Sequence, residues 1–247
     1  MRNLLRILIV GLAAVGCLAS ATTEPVLVGE GRPVLFIGNS YTYVNDLPGI
    51  VQALADSAGG EKLAVETVAE PDFALVDHWS RGVAQREIAK GRWAFVVLQQ
   101  GPSSVGVNRD TLRLATKLFA PGIVAAGAKP ALFSAWPTID RRVDYPRAIE
   151  SYRLAADDVN GVFLPVASAW LAAWERDPAL PLYAGDGLHA SPLGSYVAAL
   201  VIYSKLLNKS PVGLPATLRT RAGSVLAIDP AVARKVQEAA QQAISIP

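Results

Sequence analysis

The chain has 247 residues, of which 51% are hydrophobic and 18% are charged. This composition excludes an intrinsically disordered protein, because disordered chains combine few apolar residues with many charges. At about 100 to 200 residues per domain, the length predicts one sizeable domain. Two of the 23 basic residues, Arg2 and Arg6, lie in an N-terminal stretch without acids, so residues 22–247 hold 21 basic and 21 acidic side chains. A chain without net charge lacks the dense basic surface that nucleic acid binding needs, and no nucleic acid partner is expected.

The first 21 residues have the pattern of a signal peptide. Arg2 and Arg6 form the positive start, residues 7–18 are apolar, and the closing Ala-Ser-Ala supplies a cleavage site. The apolar run is too short for a comfortable membrane span of about 20 residues. Lipidation of Cys17, the single cysteine, is a second possibility, and an uncleaved anchor is a weaker third. The sequence predicts an exported domain of residues 22–247, periplasmic or secreted, that contacts a membrane only if Cys17 is lipidated.

Downstream of this segment, short apolar runs alternate with longer segments of helical period, which is typical of a parallel sheet with helical crossovers. The runs are mostly continuous, as in strands that are covered on both faces. Strands are predicted at residues 33–37, 63–68, 94–98, 131–135 and 162–166. Helices are predicted at residues 47–58, 74–90, 110–126, 145–159, 168–176, 191–207 and 230–244. With right-handed crossovers, these elements predict an α/β fold, a three-layer α/β/α sandwich around a five-stranded parallel sheet.

The loops that follow the strands hold the candidate site residues, because such sheets bind ligands beyond the carboxyl ends of their strands. The first loop reads Gly-Asn-Ser-Tyr-Thr, with its serine at Ser40. A strand-to-helix turn lets the Ser40 hydroxyl project into the crevice and points backbone N–H groups at a developing oxyanion. Ser40 is therefore the candidate nucleophile, although helix capping explains a serine at this position equally well.

Two other crevice chemistries fit this loop poorly. A dinucleotide site needs Gly-x-Gly-x-x-Gly after the first strand, and no glycine stands between Gly38 and Gly49. The nucleophile elbow of α/β-hydrolases needs Gly-x-Ser-x-Gly, and Thr42 stands where its last glycine belongs. The sequence therefore disfavours both a nicotinamide enzyme and an α/β-hydrolase.

A nucleophilic serine needs a base, and the two histidines are the candidates with the usual chemistry. His189 follows Asp186 by three residues, a spacing at which the carboxylate can accept the imidazole Nδ1–H and leave Nε2 for a serine proton. A turn-forming Asp beside an unrelated histidine is the alternative. His78 lies among apolar residues of a predicted helix, where a structural role or a place at the rim of the site is favoured. The two histidines and one cysteine make zinc improbable, and neither a metal nor an organic cofactor is expected.

This combination resembles the SGNH hydrolase superfamily, the GDSL-like esterases and lipases. In that family a strand ends in a block similar to the Gly-Asn-Ser at Ser40, and an Asp-x-x-His block near the C-terminus, here Asp186 and His189, supplies the other catalytic residues. The Gly-Asn-Ser-Tyr-Thr sequence looks like a variant first block of some bacterial members. The resemblance covers the whole predicted domain and implies a flavodoxin-like fold, esterase activity and a triad of Ser40, His189 and Asp186.

The second and third blocks depart from the family pattern. The second normally supplies a glycine N–H to the oxyanion hole, but residues 70–74 contain no glycine, so the backbone N–H of Asp72 or Phe73 is the candidate. The third normally supplies an Asn amide, and here a strand ends in Gln99 and Gln100, followed by glycine. A Gln amide offers the same donor, and a Gln-Gly pair occurs there in similar carbohydrate esterases. Because side chains alternate along a strand, one of the two glutamines is expected to face the site.

The sequence thus predicts an exported serine esterase that acts on a small-molecule or carbohydrate ester. Its oxyanion hole would combine the Ser40 N–H, a donor at Asp72 or Phe73, and Gln99 or Gln100. The alternative is a catalytically impaired domain that binds a glycan or another ligand. Aromatic residues in the crevice loops favour a sugar if they stack on it, and equally serve as packing anchors. These residues are Tyr41, Trp136, Tyr145 and Tyr183.

Overall fold

The computed structural model describes residues 31–246, and the predicted signal peptide and Cys17 lie outside the described residues. The strands of the main sheet are Arg32–Gly38 (β1), Leu63–Ala69 (β2), Phe95–Leu98 (β3), Lys129–Phe133 (β4) and Val162–Leu164 (β5). They are arranged in the order β2-β1-β3-β4-β5, and each neighbouring pair is parallel. This confirms the predicted α/β fold with a five-stranded parallel sheet.

Helices connect and cover these strands. They are Ser40–Tyr43 (α1), Leu47–Ser57 (α2), Leu75–Arg81 (α3), Val83–Ile88 (α4), Gly106–Ala125 (α5), Tyr145–Asp157 (α6), Val166–Arg176 (α7), Pro192–Leu207 (α8) and Pro230–Ile244 (α9). Helices α3 to α6 pack against one another, as do α2, α7, α8 and α9. The two groups are the outer layers of the sandwich, because right-handed crossovers to the two sides of β1 place their helices on opposite faces of the sheet.

The core lies on both faces of β1. Val34 to Ile37 are fully buried, because β1 has a strand on each side and a helical layer on each face. In α8, every residue except Pro192 and Lys205 is buried. A helix that is apolar all round belongs inside a protein, which explains why this segment shows no polar face.

One predicted helix is wrong. The stretch 74–90 forms two helices, α3 and α4, that meet at Gly82. This glycine has a φ of 71° and ends α3 by donating its N–H to the carbonyls of His78 and Trp79. Glycine adopts this left-handed conformation at little steric cost, and it commonly follows the last turn of a helix. The apolar period continues across the break, so periodicity alone predicted one helix.

Other boundaries shift by a few residues. Strand β4 begins at Lys129, two residues earlier than predicted. It can contain Pro130, which has no N–H to donate, because β5 pairs with it only from Ala131 onward. A short antiparallel hairpin of Thr217–Arg219 (β6) and Val225–Ala227 (β7) was not predicted. Each of its strands buries a single residue, which is too few to produce a recognisable period.

The sheet brings three loops together at one edge. Gly38 at the end of β1 pairs with Ala69 at the end of β2, and Ile37 pairs with Leu98 at the end of β3. The strand order reverses between β1 and β3, and sheets of this order open a crevice at that point. The residues that follow these three strands therefore converge on one crevice.

Candidate active site

Ser40 is the first residue of α1, directly after β1. The preceding Asn39 caps this helix, because its side chain accepts the Tyr41 N–H at 3.1 Å. Ser40 is partly exposed and lines a cavity of about 330 Å³ between the loops that follow β1, β2 and β3. Its N–H makes no hydrogen bond within the described residues. A ligand in this cavity therefore meets both Ser40 and a free backbone donor.

Gln99 lies beneath this turn and is fully buried. Its Oε1 accepts hydrogen bonds from the Asn39 N–H at 3.0 Å and from Thr42 Oγ1 at 2.8 Å. Its Nε2 donates to Asn39 Oδ1 at 2.9 Å and to the Gln100 carbonyl. All hydrogen-bonding capacity of the amide group is used within the turn, and Gln99 does not line the cavity. The expectation that Gln99 could face the oxyanion is therefore corrected: it supports the turn from below.

The carbonyl of Gly38 is held by two donors. His78 Nε2 donates to it at 2.7 Å, and the Glu70 N–H donates at 3.1 Å. His78 is only 2% exposed, and this burial lowers its pKa, so the ring is neutral near pH 7 and carries its proton on Nε2. Asn39 Nδ2 adds a bond of 2.9 Å to the Phe73 carbonyl. The turn at Ser40 and the loop after β2 are thus tied together, and His78 has the structural role that the sequence favoured.

The loop after β2 contains a tight turn at Asp72. The Phe73 N–H donates to the Glu70 carbonyl at 3.4 Å, with Pro71 and Asp72 in the central positions. Asp72 has a φ of 60°, so this turn has the proline and the positive φ that characterise type II turns. Asp72 lines the cavity, and its N–H makes no hydrogen bond within the described residues. Of the two candidate donors in this loop, the Asp72 N–H is free and the Phe73 N–H is engaged.

Gln100 does line the cavity, but its amide is also engaged. Its Oε1 accepts the Leu75 N–H at 3.1 Å, and its Nε2 donates to Ser103 Oγ at 3.0 Å and to the Asn108 carbonyl at 3.3 Å. Its backbone N–H and carbonyl both contact the Tyr152 hydroxyl. Gln100 would have to exchange a partner before it could donate to a ligand.

Asp186 and His189 form a hydrogen-bonded pair beside the cavity. His189 Nδ1 lies 2.6 Å from Asp186 Oδ2, and Asp186 Oδ1 accepts the N–H groups of Leu188 and His189 at 2.9 Å each. These three hydrogen bonds lower the pKa of Asp186 to about 2, although its side chain is half exposed, and the bond to the imidazole has the largest effect. His189 Nε2 is buried and has no hydrogen-bond partner within the described residues.

The structure also brings this pair close to the serine turn. Leu188, between the two residues, lines the same cavity as Ser40. The rings of His189 and Tyr41 lie with their centroids 6.3 Å apart. No hydrogen bond joins Ser40 to His189 within the described residues. The Ser40 hydroxyl thus lines the cavity, and the hydrogen-bonded pair of Asp186 and His189 adjoins it through Leu188.

The aromatic residues of the crevice loops mostly serve packing. Trp136 and Tyr145 are fully buried, which corrects the expectation that they could stack on a sugar. Trp136 stacks on Trp170 at 4.3 Å and donates its indole N–H to the Leu188 carbonyl at 3.0 Å, so it supports the loop that carries His189. The hydroxyl of the half-buried Tyr183 contacts that of Tyr145 at 2.9 Å.

Two residues that line the cavity were not predicted as site residues. Asn108 and Thr111 lie in α5 and reach the cavity only because this helix begins beside the loop after β3. A second cavity of about 220 Å³ adjoins the first and shares Tyr41, Asn108 and Leu188 with it. The crevice therefore has two lobes.

The described residues contain no group of three or more His, Cys, Asp or Glu side chains placed to hold a metal ion. Among residues 31–246, no helix is both long and apolar enough to cross a membrane.

Several solved structures have the same fold. A candidate SGNH hydrolase from Slackia heliotrinireducens is 26% identical, with a TM-score of 0.61, over 71% of this chain and 99% of its own. A DUF4886 family protein from Bacteroides uniformis reaches a TM-score of 0.69 at 16% identity, over 88% of this chain and 96% of its own. An acetylxylan esterase from Geobacillus stearothermophilus reaches 0.51 at 16% identity, over 73% of this chain and 94% of its own.

No protein-family model and no curated protein sequence matches the chain. A shared fold at low identity does not transfer a substrate, because unrelated activities occupy the same scaffold. The neighbours do agree on the scaffold, and they include a lipase/acylhydrolase from Enterococcus faecalis. With its parallel sheet and its serine turn after β1, the chain has the fold of the SGNH hydrolases and is similar to the candidate member from Slackia heliotrinireducens.

Proposed function

We propose that the chain is an exported serine esterase that hydrolyses carboxylic esters by acyl transfer. The observation that carries this proposal is the pair of Asp186 and His189 beside the cavity that Ser40 lines. The imidazole Nδ1 is occupied by a carboxylate, and Nε2 has no hydrogen-bond partner among residues 31–246. An imidazole in this state is suited to take a proton from a serine hydroxyl.

In the proposed reaction, Ser40 Oγ attacks the ester carbonyl carbon while its proton passes to His189 Nε2. Asp186 stabilises the imidazolium through Nδ1–H, and it does so as a carboxylate because its pKa is about 2. The tetrahedral intermediate collapses when the C–O bond to the alcohol breaks and Nε2–H protonates that oxygen. Water then attacks the acyl-enzyme with the same base, which releases the acid and restores Ser40.

The oxyanion requires donors, and the free ones are backbone groups. The N–H groups of Ser40 and Asp72 are unpaired within the described residues and both residues line the cavity. Each well-placed donor stabilises the transition state and lowers the barrier by about 3 to 4 kcal/mol. We assign the oxyanion hole to these two groups, with Gln100 as a third donor if a substrate displaces Ser103 or Asn108 from its amide.

The site is large enough for an ester substrate. The cavity of about 330 Å³ and its adjoining lobe of about 220 Å³ can hold the acyl group and part of the alcohol. The acetylxylan esterase among the structural neighbours makes an O-acetyl group on a carbohydrate a reasonable substrate class to test. Export through residues 1–21 is part of the proposal, and the N-terminal mass of protein recovered from the cell envelope tests it.

The decisive experiment combines covalent labelling with turnover. Wild-type protein should react with a fluorophosphonate at Ser40 and hydrolyse p-nitrophenyl acetate, whereas Ser40→Ala should do neither. The matched control is Ser80→Ala, which removes an exposed serine hydroxyl from α3 outside the cavity. If wild-type protein neither labels nor exceeds Ser40→Ala in hydrolysis, the esterase proposal is wrong.

A second candidate is a ligand-binding domain without catalysis. It is favoured by one observation, namely that the amides of Gln99 and Gln100 are both engaged, so neither glutamine has a free N–H for an oxyanion. In that case Ser40→Ala would leave ligand affinity unchanged, as measured by calorimetry with acetylated xylo-oligosaccharides. The labelling experiment separates this candidate from the esterase.

A further inference from the structure

Two consecutive left-handed residues follow the serine turn. Asn45 has a φ of 58° and Asp46 a φ of 55°, a conformation that side-chain-bearing residues seldom adopt. Asp46 caps α2, because its side chain accepts the Gly49 N–H at 3.1 Å. Asn45 caps no helix, and a strained backbone of this kind is typical of functional sites.

The Asn45 side chain reaches across the crevice to the segment that carries the base. Its Nδ2 donates to the carbonyl of Ala190 at 2.8 Å and to Ser195 Oγ at 2.9 Å. Ala190 directly follows His189, and Ser195 is a buried residue of α8. Within the part of the chain that the structure describes, no other side chain of residues 40–46 donates to or accepts from residues 184–195.

Both ends of this connection are stiff. On the serine side, the Val44 N–H bonds to the Ser40 carbonyl and the Thr42 N–H bonds to the Asn39 carbonyl, so α1 carries Ser40 and leads directly into Asn45. On the histidine side, the Ala184 N–H bonds to the His189 carbonyl at 2.8 Å, and the Ser191 N–H bonds to the Leu182 carbonyl at 2.9 Å. A displacement of Asn45 is therefore transmitted to both segments.

We propose that Asn45 is a positioning residue that fixes the separation between Ser40 and His189. The inference rests on the proposed function, because it assigns these two residues to the reaction. Two segments 145 residues apart in sequence must meet with sub-ångström accuracy, and a misplacement of about 1 Å costs about 100-fold in rate. The left-handed backbone at Asn45 aims its amide at Ala190, and asparagine tolerates this conformation better than most residues.

Two variants test the side chain without disturbing the backbone. Asn45→Gly keeps the left-handed conformation and deletes both hydrogen bonds. Asn45→Asp keeps the shape, but its carboxylate has no N–H to give and faces the Ala190 carbonyl. For both, kcat for p-nitrophenyl acetate should fall about 10- to 100-fold with KM changed less than about 3-fold, and the fluorophosphonate labelling rate should fall by the same factor.

The matched control is Asn160→Gly. Asn160 is also left-handed, with a φ of 52°, and it is exposed before β5, at the opposite edge of the sheet from the crevice. This control should keep wild-type kcat and labelling rate. Rates are expressed per site that labels exhaustively, so a partly unfolded preparation does not imitate a positioning defect.

The outcomes separate the two proposals. If wild-type and Asn160→Gly are active and Asn45→Gly and Asn45→Asp match them per labelled site, the positioning role is overturned and the esterase stands. A rise in KM with unchanged kcat also overturns it, because that result assigns Asn45 to substrate binding. If wild-type protein neither labels nor turns over, the proposed function itself has failed.

Discussion

Replacement of His78 by Gln is expected to change how the free energy of unfolding depends on pH. His78 is almost fully buried, and this burial lowers its pKa even though the Gly38 carbonyl, Glu70 and Asp77 act in the opposite direction. The folded chain therefore binds a proton at His78 less readily than the unfolded chain does. Its contribution to stability is fully present above pH 6.5, the ordinary value for histidine, and is lost as the pH falls below it.

The size of this loss in the free energy of unfolding is set by the protonation of His78 in the unfolded chain. Each pH unit below 6.5 favours the unfolded chain by up to about 1.4 kcal/mol while the buried ring stays neutral, so the loss at pH 5 has an upper limit of about 2 kcal/mol. Gln places an amide nitrogen near the position of the imidazole Nε2, so it can donate to Gly38 without titrating. It loses the edge contact between His78 and Phe73, whose ring centroids lie 5.1 Å apart, at a cost of about 1 kcal/mol.

Urea unfolding followed by tryptophan fluorescence measures the free energy of unfolding of both proteins at each pH. At pH 8 the Gln variant should be about 1 kcal/mol less stable than wild-type protein. The difference should shrink as the pH falls and approach zero or reverse near pH 5. Ser80→Ala on the same helix is the control, since it removes no titrating group and its difference from wild-type should stay constant. A His78→Gln difference that is equally constant from pH 8 to pH 5 would refute the buried, neutral imidazole.

Two further substitutions test the assignments in the site. Asp186→Asn should lower kcat about 1,000- to 10,000-fold with the fold intact, because the Asn amide can donate to His189 Nδ1 and hold the imidazole in the wrong tautomer. Steady-state kinetics measure this loss, and a loss below about 10-fold would contradict the catalytic role of the pair. Since the pKa of Asp186 is about 2, its titration should not contribute to the pH–rate profile above about pH 4. Gln99→Leu should cost about 2 to 4 kcal/mol in urea unfolding, because it leaves the buried Asn39 N–H and Thr42 hydroxyl without their acceptor. Lost activity without lost stability would instead indicate that Gln99 donates to the oxyanion.

Local patterns in the sequence were sufficient for the framework. Continuous apolar runs predicted the five strands of the sheet, and the alternation with helices predicted their parallel order, since both signals reside in neighbouring residues. The break at Gly82 was not predicted because the apolar period runs across it. The hairpin of β6 and β7 was not predicted because each of its strands buries a single residue. The signal peptide and the catalytic roles of Ser40, Asp186 and His189 stay predictions.

The sequence by itself determined which residues carry reactive groups and that the loops after the strands would meet at one edge of the sheet. Only the tertiary structure decided what each polar group does there. Gln99 and Gln100 are adjacent and chemically identical, yet one is sealed beneath the serine turn and the other lines the cavity. Asn45 meets Ala190 across 145 residues of chain. Such outcomes depend on which hydrogen-bond partners folding brings within about 3 Å, and no pattern among sequence neighbours contains that information.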